Sequence, residues 1–179
     1  MVADTKLLFV LVGLPFSGKT TWAEKYSSEF KEIISRDEIL NAINRDTALR
    51  QYLFLEAKKI IEPVSQIYLS KEQNAWNDVV TSEYVKQVKE KICNSISDVV
   101  IVDGTHLSLE SRKFIAEGYG RKKIAIVFET PKEVCIERWK KGIVTGVRST
   151  ITEDLIDKMD NLRIFPQKTE GFDEVLLIE

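Results

Sequence analysis

Residues Gly13 to Thr20 read Gly-Leu-Pro-Phe-Ser-Gly-Lys-Thr, the pattern G-x-x-x-x-G-K-[ST], directly after the apolar run Lys6 to Val12. A helical stretch from Thr20 to Phe30 follows. Few folds satisfy that order: a strand buried on both faces, a tight turn, then a helix whose first N–H groups lack helical partners. Gly13 and Gly18 are expected to supply the backbone angles that turn successive N–H groups inward as a nest for an anion. Leu14, Pro15, Phe16 and Ser17 form the body of that loop. Lys19 would place its charge on the β and γ phosphates of a nucleoside triphosphate, and the Thr20 hydroxyl would ligate Mg²⁺, with Thr21 beside it.

The rest of the 179 residues alternates in the same way. Ile33 to Ser35, Val99 to Val102, Ile124 to Phe128 and Val175 to Ile178 are strand candidates. Helical spacing relates Leu49, Tyr52, Leu53, Ala57, Ile60 and Ile61, and also Val85, Val88, Ile92 and Ile96. Ser108 to Gly118 reads as a helix, and Leu155, Ile156, Met159 and Leu162 mark another that ends before Pro166. Thr130-Pro131-Lys132-Glu133 reads as a capping box with proline at the first helical position, and Gly142 and Gly146 bracket a polar loop. Val64 to Asn77 gives no clear pattern. The alternation predicts one α/β domain over residues 1–179, a mostly parallel five-stranded sheet with helices on both faces. A helical insert at about 41–85 and a lid at about 138–150 would interrupt it.

Charge and composition exclude several functions. With 26 basic against 28 acidic residues the net charge is −2, which argues against non-specific binding of long duplexes but permits a small basic pocket. No apolar run approaches the ~20 residues that span a bilayer. The N-terminus lacks a cationic leader and a cleavage site, so a cytoplasmic protein with no membrane partner is expected. Cys93 and Cys135 fall on apolar helix faces and are expected to be buried free thiols. A single histidine leaves little from which to build a zinc site.

Two carboxylates stand where chemistry is expected, just past strand ends in a parallel sheet. Asp37 could accept a proton from an attacking hydroxyl, or cap the helix beginning at Glu38, and the two roles are compatible. Asp103 could support Mg²⁺ with Thr20, or merely turn the chain before Gly104. His106 on the same rim is either a substrate contact or a loop histidine. Arg138, Lys140, Lys141 and Arg148 suit a lid that brings cations to a transition state, the alternative being a solvated basic loop. Arg121-Lys122-Lys123 reads as a solvent-facing cluster. Trp76 belongs either to the core or to the acceptor side of the insert.

Together these residues resemble the kinase domain of phage-type polynucleotide 5′-hydroxyl kinases, within a group that includes zeta-toxin-like kinases. The run Gly13 to Ala23 is similar to that family's phosphate loop and first helix. Arg36-Asp37 resembles its arginine–aspartate pair, Asp103 to Arg112 the segment after its third strand, and Arg138 with the following loop its lid. The resemblance implies a P-loop NTPase fold and γ-phosphoryl transfer from ATP and Mg²⁺ to a hydroxyl, with Lys19, Asp37 and Arg138 as catalytic residues. It further implies that Arg36, Asp37, Asp103 and His106 meet the substrate and that Arg138 contacts ATP. ATP over GTP follows from the resemblance, and the guanine-reading Asn-Lys-x-Asp pattern is absent. Two positions depart from the family: a second arginine one turn after the base is Leu40 here, and a lid arginine is Lys141. The expected acceptor is the 5′-hydroxyl of a nucleic acid. A small-molecule hydroxyl (sugar, nucleoside, antibiotic or nucleotide-sugar) is the alternative, as is a nucleotide-dependent switch with no acceptor. Oligomeric state stays open.

Overall fold

The structure, a computed structural model, describes residues 5–26, 28, 30–61, 69–117, 119–145 and 151–178, without the side chains of 61 and 69–73. Gly118, Gly146, Arg148 and residues 62–68, which include the start of the patternless stretch at 64, lie outside the described residues. The chain divides into two compact units, one formed by residues 1–34 and 95–179 and the other by Ser35–Asn94. The insert expected at 41–85 falls within the second.

The first unit is built on a five-stranded parallel sheet, β1 (Leu7–Val12), β2 (Lys31–Ser35), β3 (Val99–Asp103), β4 (Lys122–Phe128) and β5 (Glu174–Ile178), in the order β2-β3-β1-β4-β5. Both faces of β1 are covered, with Leu8, Val10, Leu11 and Val12 fully buried, which is why it reads as an unbroken apolar run. On one face Phe9, Leu11, Ile101, Ile126 and Phe128 form a core against which Trp22 and Tyr26 pack. Because β1 lies between β3 and β4, the chain winds away from it in both directions. The loop leaving its carboxyl end therefore sits at the topological switch point of the sheet. The register sets Val12 beside Val127 and Val10 beside Val102, so Gly13 emerges next to Phe128 and Asp103 ends level with Leu11.

The helices of this unit are shorter or longer than their sequence patterns. α1 (Lys19–Lys25) stops well before Phe30. The Lys31 ammonium donates to the carbonyls of Ala23, Glu24 and Tyr26 (2.9, 2.6 and 2.8 Å), satisfying the acceptors of that helix end. α5 is only Leu109–Lys113, opened by a reciprocal Ser108–Ser111 capping box. α6 (Lys132–Val144) has Pro131 at its N-cap with no side-chain cap bond, so the capping box read at Thr130 is wrong. Gly142 lies inside α6 rather than bounding a loop, and the Thr145 hydroxyl closes the helix on the Lys141 and Gly142 carbonyls. α7 (Glu153–Asn161) is strapped to α6 by Lys132–Asp157 and Lys140–Glu153 and by the Trp139 indole N–H on the Ile151 carbonyl (2.9 Å). A 3₁₀ turn (Lys168–Glu170) precedes β5. Arg121 is buried, not solvent-facing. Its guanidinium donates to the Ser95 and Ser97 carbonyls (2.8 Å each), because the chain ends entering the sheet leave carbonyls that a long cation can satisfy.

The second unit holds α2 (Arg36–Arg45), α3 (Thr47–Ile61) and α4 (Leu69–Asn94). Ile39 and Ile43, Leu53 and Ala57, and Tyr84, Val88 and Ile92 are its buried stripes at helical spacing. α4 ends before Ile96, which is 90% exposed. Cys93 is exposed, a correction to the expected pair of buried thiols: Ile92 occupies the inward position and its neighbour is turned about 100° away. Cys135 is fully buried, and burial pushes its thiol pKa up. A maleimide reagent is therefore expected to modify Cys93 promptly in the native chain and Cys135 only after denaturation, as read by mass spectrometry. Among the described residues no helix is long and apolar enough to cross a membrane.

Candidate active site

The phosphate loop owes its shape to two residues for different reasons. Gly13 is required by space: a Cβ there would stand 2.9 Å from Ser17 Oγ, 3.0 Å from Phe128 Cβ and 3.2 Å from the Phe128 carbonyl. Gly18 is required by angle, at φ 101°, where it caps α1 without a side-chain acceptor. The second left-handed residue is Phe16, at φ 63°, and not Gly13 as the sequence suggests. Phe16 tolerates that conformation while its ring packs on the cluster of Leu14, Leu107, Cys135 and Ile156.

The loop's acceptors are tied up by side chains. Lys19, buried, donates to the carbonyls of Gly13 (3.0 Å) and Leu14 (2.5 Å) and to Ser17 Oγ (3.2 Å). Arg138 on α6 donates to the Phe16 carbonyl (3.1 Å), and the Thr130 hydroxyl to the Ser17 carbonyl (2.9 Å). Carbonyls would repel an anion, and here four of them are engaged by cations or a hydroxyl. Two cations converge on the loop, and both pull the Cys135 thiol pKa down against the larger effect of its burial.

Thr20 Oγ1 donates to Asp103 Oδ2 at 2.7 Å, joining the start of α1 to the end of β3. A hydroxyl and a carboxylate at one point are hard oxygen donors of the kind Mg²⁺ takes, and this ion completes its shell with water and phosphate oxygens. The residues present therefore fit the metal, although no cluster of three or more His, Cys, Asp and Glu side chains that could hold a metal occurs among the described residues.

The segment after β3 is laced to the same loop. The Gly13 N–H donates to the Thr105 carbonyl (3.0 Å), and His106 Nδ1 bonds the Leu11 carbonyl (2.8 Å). His106 is 4% exposed at φ 43°, so its ring holds the loop to β1, and touching a substrate would require that loop to open. The buried Arg112 reinforces the segment by donating to the His106 carbonyl (2.9 Å).

Thus Lys19, Thr20, Asp103 and Arg138 are brought together within the first unit. Lys140 and Lys141 lie on α6 in surface ion pairs with Glu153 and Glu137. Arg36 and Asp37 belong to the second unit, in the first turn of α2. There Ser35 is the cap, its Oγ accepting from the Glu38 N–H, so helix capping does not need Asp37. The Asp37 carboxylate is 89% exposed, 4.0 Å from Arg36, whose guanidinium lies 5.8 Å from the Tyr84 ring centre. Thr130 and Ser17 are partners the sequence reading missed. The sequence offered only that Thr130 follows the carboxyl end of a strand, and that strand's place beside β1 comes from the fold.

Known structures share this architecture. The TT1252 protein of Thermus thermophilus is 18% identical with a TM-score of 0.56, the match covering 98% of this chain and 90% of that one. A chain of a Pnkp1/Rnl/Hen1 RNA repair complex is 20% identical with a TM-score of 0.55, and the match covers 88% of this chain but 44% of that one. A protein of Chloroflexus aurantiacus, named provisionally as a kinase, is 15% identical with a TM-score of 0.51, over 98% of this chain and 86% of that one. At these identities the likeness is one of fold. No curated protein matches the chain. Residues 8–163, most of the chain and all of the phosphate-loop site, match the AAA domain family AAA_33, and with its P-loop NTPase fold the chain belongs to that family.

Proposed function

We propose that this chain is a kinase that transfers the γ-phosphoryl group of ATP to a hydroxyl, foremost the 5′-hydroxyl of a polynucleotide. The observation that carries the reading is the convergence of Lys19, Arg138 and the Thr20–Asp103 pair on one phosphate loop. The nest and Lys19 hold the β and γ phosphates, and Arg138, already seated on the Phe16 carbonyl, stabilises charge on the transferring group. Thr20 and Asp103 would hold Mg²⁺, which would supply charge to neutralise phosphate oxygens. Asp37 takes the proton of the attacking hydroxyl as its oxygen bonds to the γ phosphorus, the bond to the β–γ bridging oxygen breaks, and ADP leaves. Its support is the family resemblance, an exposed carboxylate, and a position just after the carboxyl end of β2.

The test is γ-labelled ATP with Mg²⁺ and 5′-hydroxyl oligonucleotides of single-stranded DNA and RNA. Label on the 5′ end, lost in Asp37→Asn, is the expected result. No label on either strand, with ATP still bound, moves the acceptor to a small-molecule hydroxyl. ATP turnover that survives Asp37→Asn unchanged points to a nucleotide-dependent switch instead.

A further inference from the structure

The second unit carries a groove of about 430 Å³ lined by Thr47, Arg50, Gln51 and Phe54 of α3 and Trp76 of α4. That volume lies in the range of small-ligand sites, roughly 300–1,000 Å³. Positions 47, 50, 51 and 54 share one face of a helix. Lys58, one turn further on, holds its ammonium 4.7 Å from the Phe54 ring centre. This face of α3 therefore reads cation, aromatic, cation at 50, 54 and 58.

The groove is not a by-product of the core. Leu53 and Ala57 supply the buried stripe of α3, whereas Phe54 is 51% exposed and packing does not demand its ring. Trp76 is half-buried, with part of its surface on the groove. Among the described residues the lining holds no carboxylate.

We infer that this groove binds single-stranded nucleic acid, taking an unstacked base against Phe54 and Trp76 and its flanking phosphates at Arg50 and Lys58. The inference deepens the polynucleotide reading above and rests on it for the substrate class. Aromatic faces accept any base, and cations beside them hold the backbone. Arg50 and Lys58 stand roughly 12 Å apart along the helix axis, a spacing that tracks a strand and does not converge on one small anion. Thr47 and Gln51 offer hydroxyl and amide groups to base edges. A duplex is excluded because its stacked bases cannot reach the rings.

The probe is a short, 3′-labelled, 5′-phosphorylated oligothymidylate titrated with the full chain by fluorescence anisotropy. Its 5′-phosphate removes the acceptor hydroxyl, so binding is read apart from phosphoryl transfer. Phe54→Ala and Trp76→Ala are each expected to weaken binding roughly 5- to 150-fold. Trp76→Phe should restore most of the loss, and Arg50→Ala should lower the slope of log affinity against log salt by about 0.7. Arg50 and Phe54 are exposed, so their variants report even if Trp76→Ala fails to fold. Unchanged affinity in Phe54→Ala and Arg50→Ala overturns the inference. Thymidine monophosphate competing as well as the oligomer also overturns it and makes the groove a small-molecule site. Labelling of 5′-hydroxyl ends is scored separately: transfer without groove dependence retains the kinase and removes the groove, and groove binding without transfer does the reverse.

Discussion

Arg138→Ala is expected to slow phosphoryl transfer by about 10³-fold or more while changing ATP affinity less than about tenfold. The asymmetry follows from where the side chain stands. Its Nη1 donates to the Phe16 carbonyl at 3.1 Å, which parks the guanidinium on the rim of the phosphate loop, and it is Lys19, not Arg138, that lies buried within it. A cation on the rim gains most when charge shifts onto the transferring group, and arginines in that role are worth about 10³–10⁵ in rate. Arg138→Lys should recover only part of the loss, because lysine keeps the charge but not the planar fork. Steady-state kinetics with a calorimetric ATP affinity separates the two effects. Unchanged turnover in Arg138→Ala would remove this residue from the mechanism.

The largest effect on stability is expected at Glu170, far along the sequence from the phosphate loop. Arg112 is fully buried and forms a bidentate pair with Glu170, Nε to Oε2 at 2.7 Å and Nη2 to Oε1 at 2.9 Å. Its remaining amino group donates to the carbonyls of His106 (2.9 Å) and Ile164 (3.0 Å). Glu170→Ala leaves a buried guanidinium without its counter-charge, which costs about 3–5 kcal/mol. Replacing both partners with apolar residues should cost less than Glu170→Ala, since no charge is left buried. It will not be neutral, because two carbonyls lose their donor. The guanidinium chloride midpoint, compared at unchanged m-value, reads the difference. A Glu170→Ala chain as stable as the parent would refute the buried-charge account.

The site was more legible than its supports. Lys19, Thr20 and Asp103 could be named because each follows from local chemistry: a glycine turn after an apolar strand, and an aspartate ending another. Arg112 and Glu170 could not be paired, since nothing at 112 or 170 specifies a partner 58 positions away. The same limit explains Thr130. Its residue type fits a helix cap as well as it fits a hydrogen bond to Ser17, and only the neighbouring of β4 and β1 decides between them. Arg121 looked like one of three surface cations until the chain ends around it supplied carbonyls to satisfy.

By itself the sequence determined the strand–loop–helix of the phosphate-loop motif and the alternation that makes a parallel sheet, and it named the side chains on which the proposed function rests. Those properties depend on residues close together in the chain, where hydrophobic period and turn chemistry act directly. Only the tertiary structure decided that Gly13 is needed for space and not for angle, that His106 is packed against β1, and that Arg138 rests on the Phe16 carbonyl. Each of these turns on which distant atoms come within about 3 Å, the reach of a hydrogen bond or a steric contact, and a linear pattern does not encode that distance.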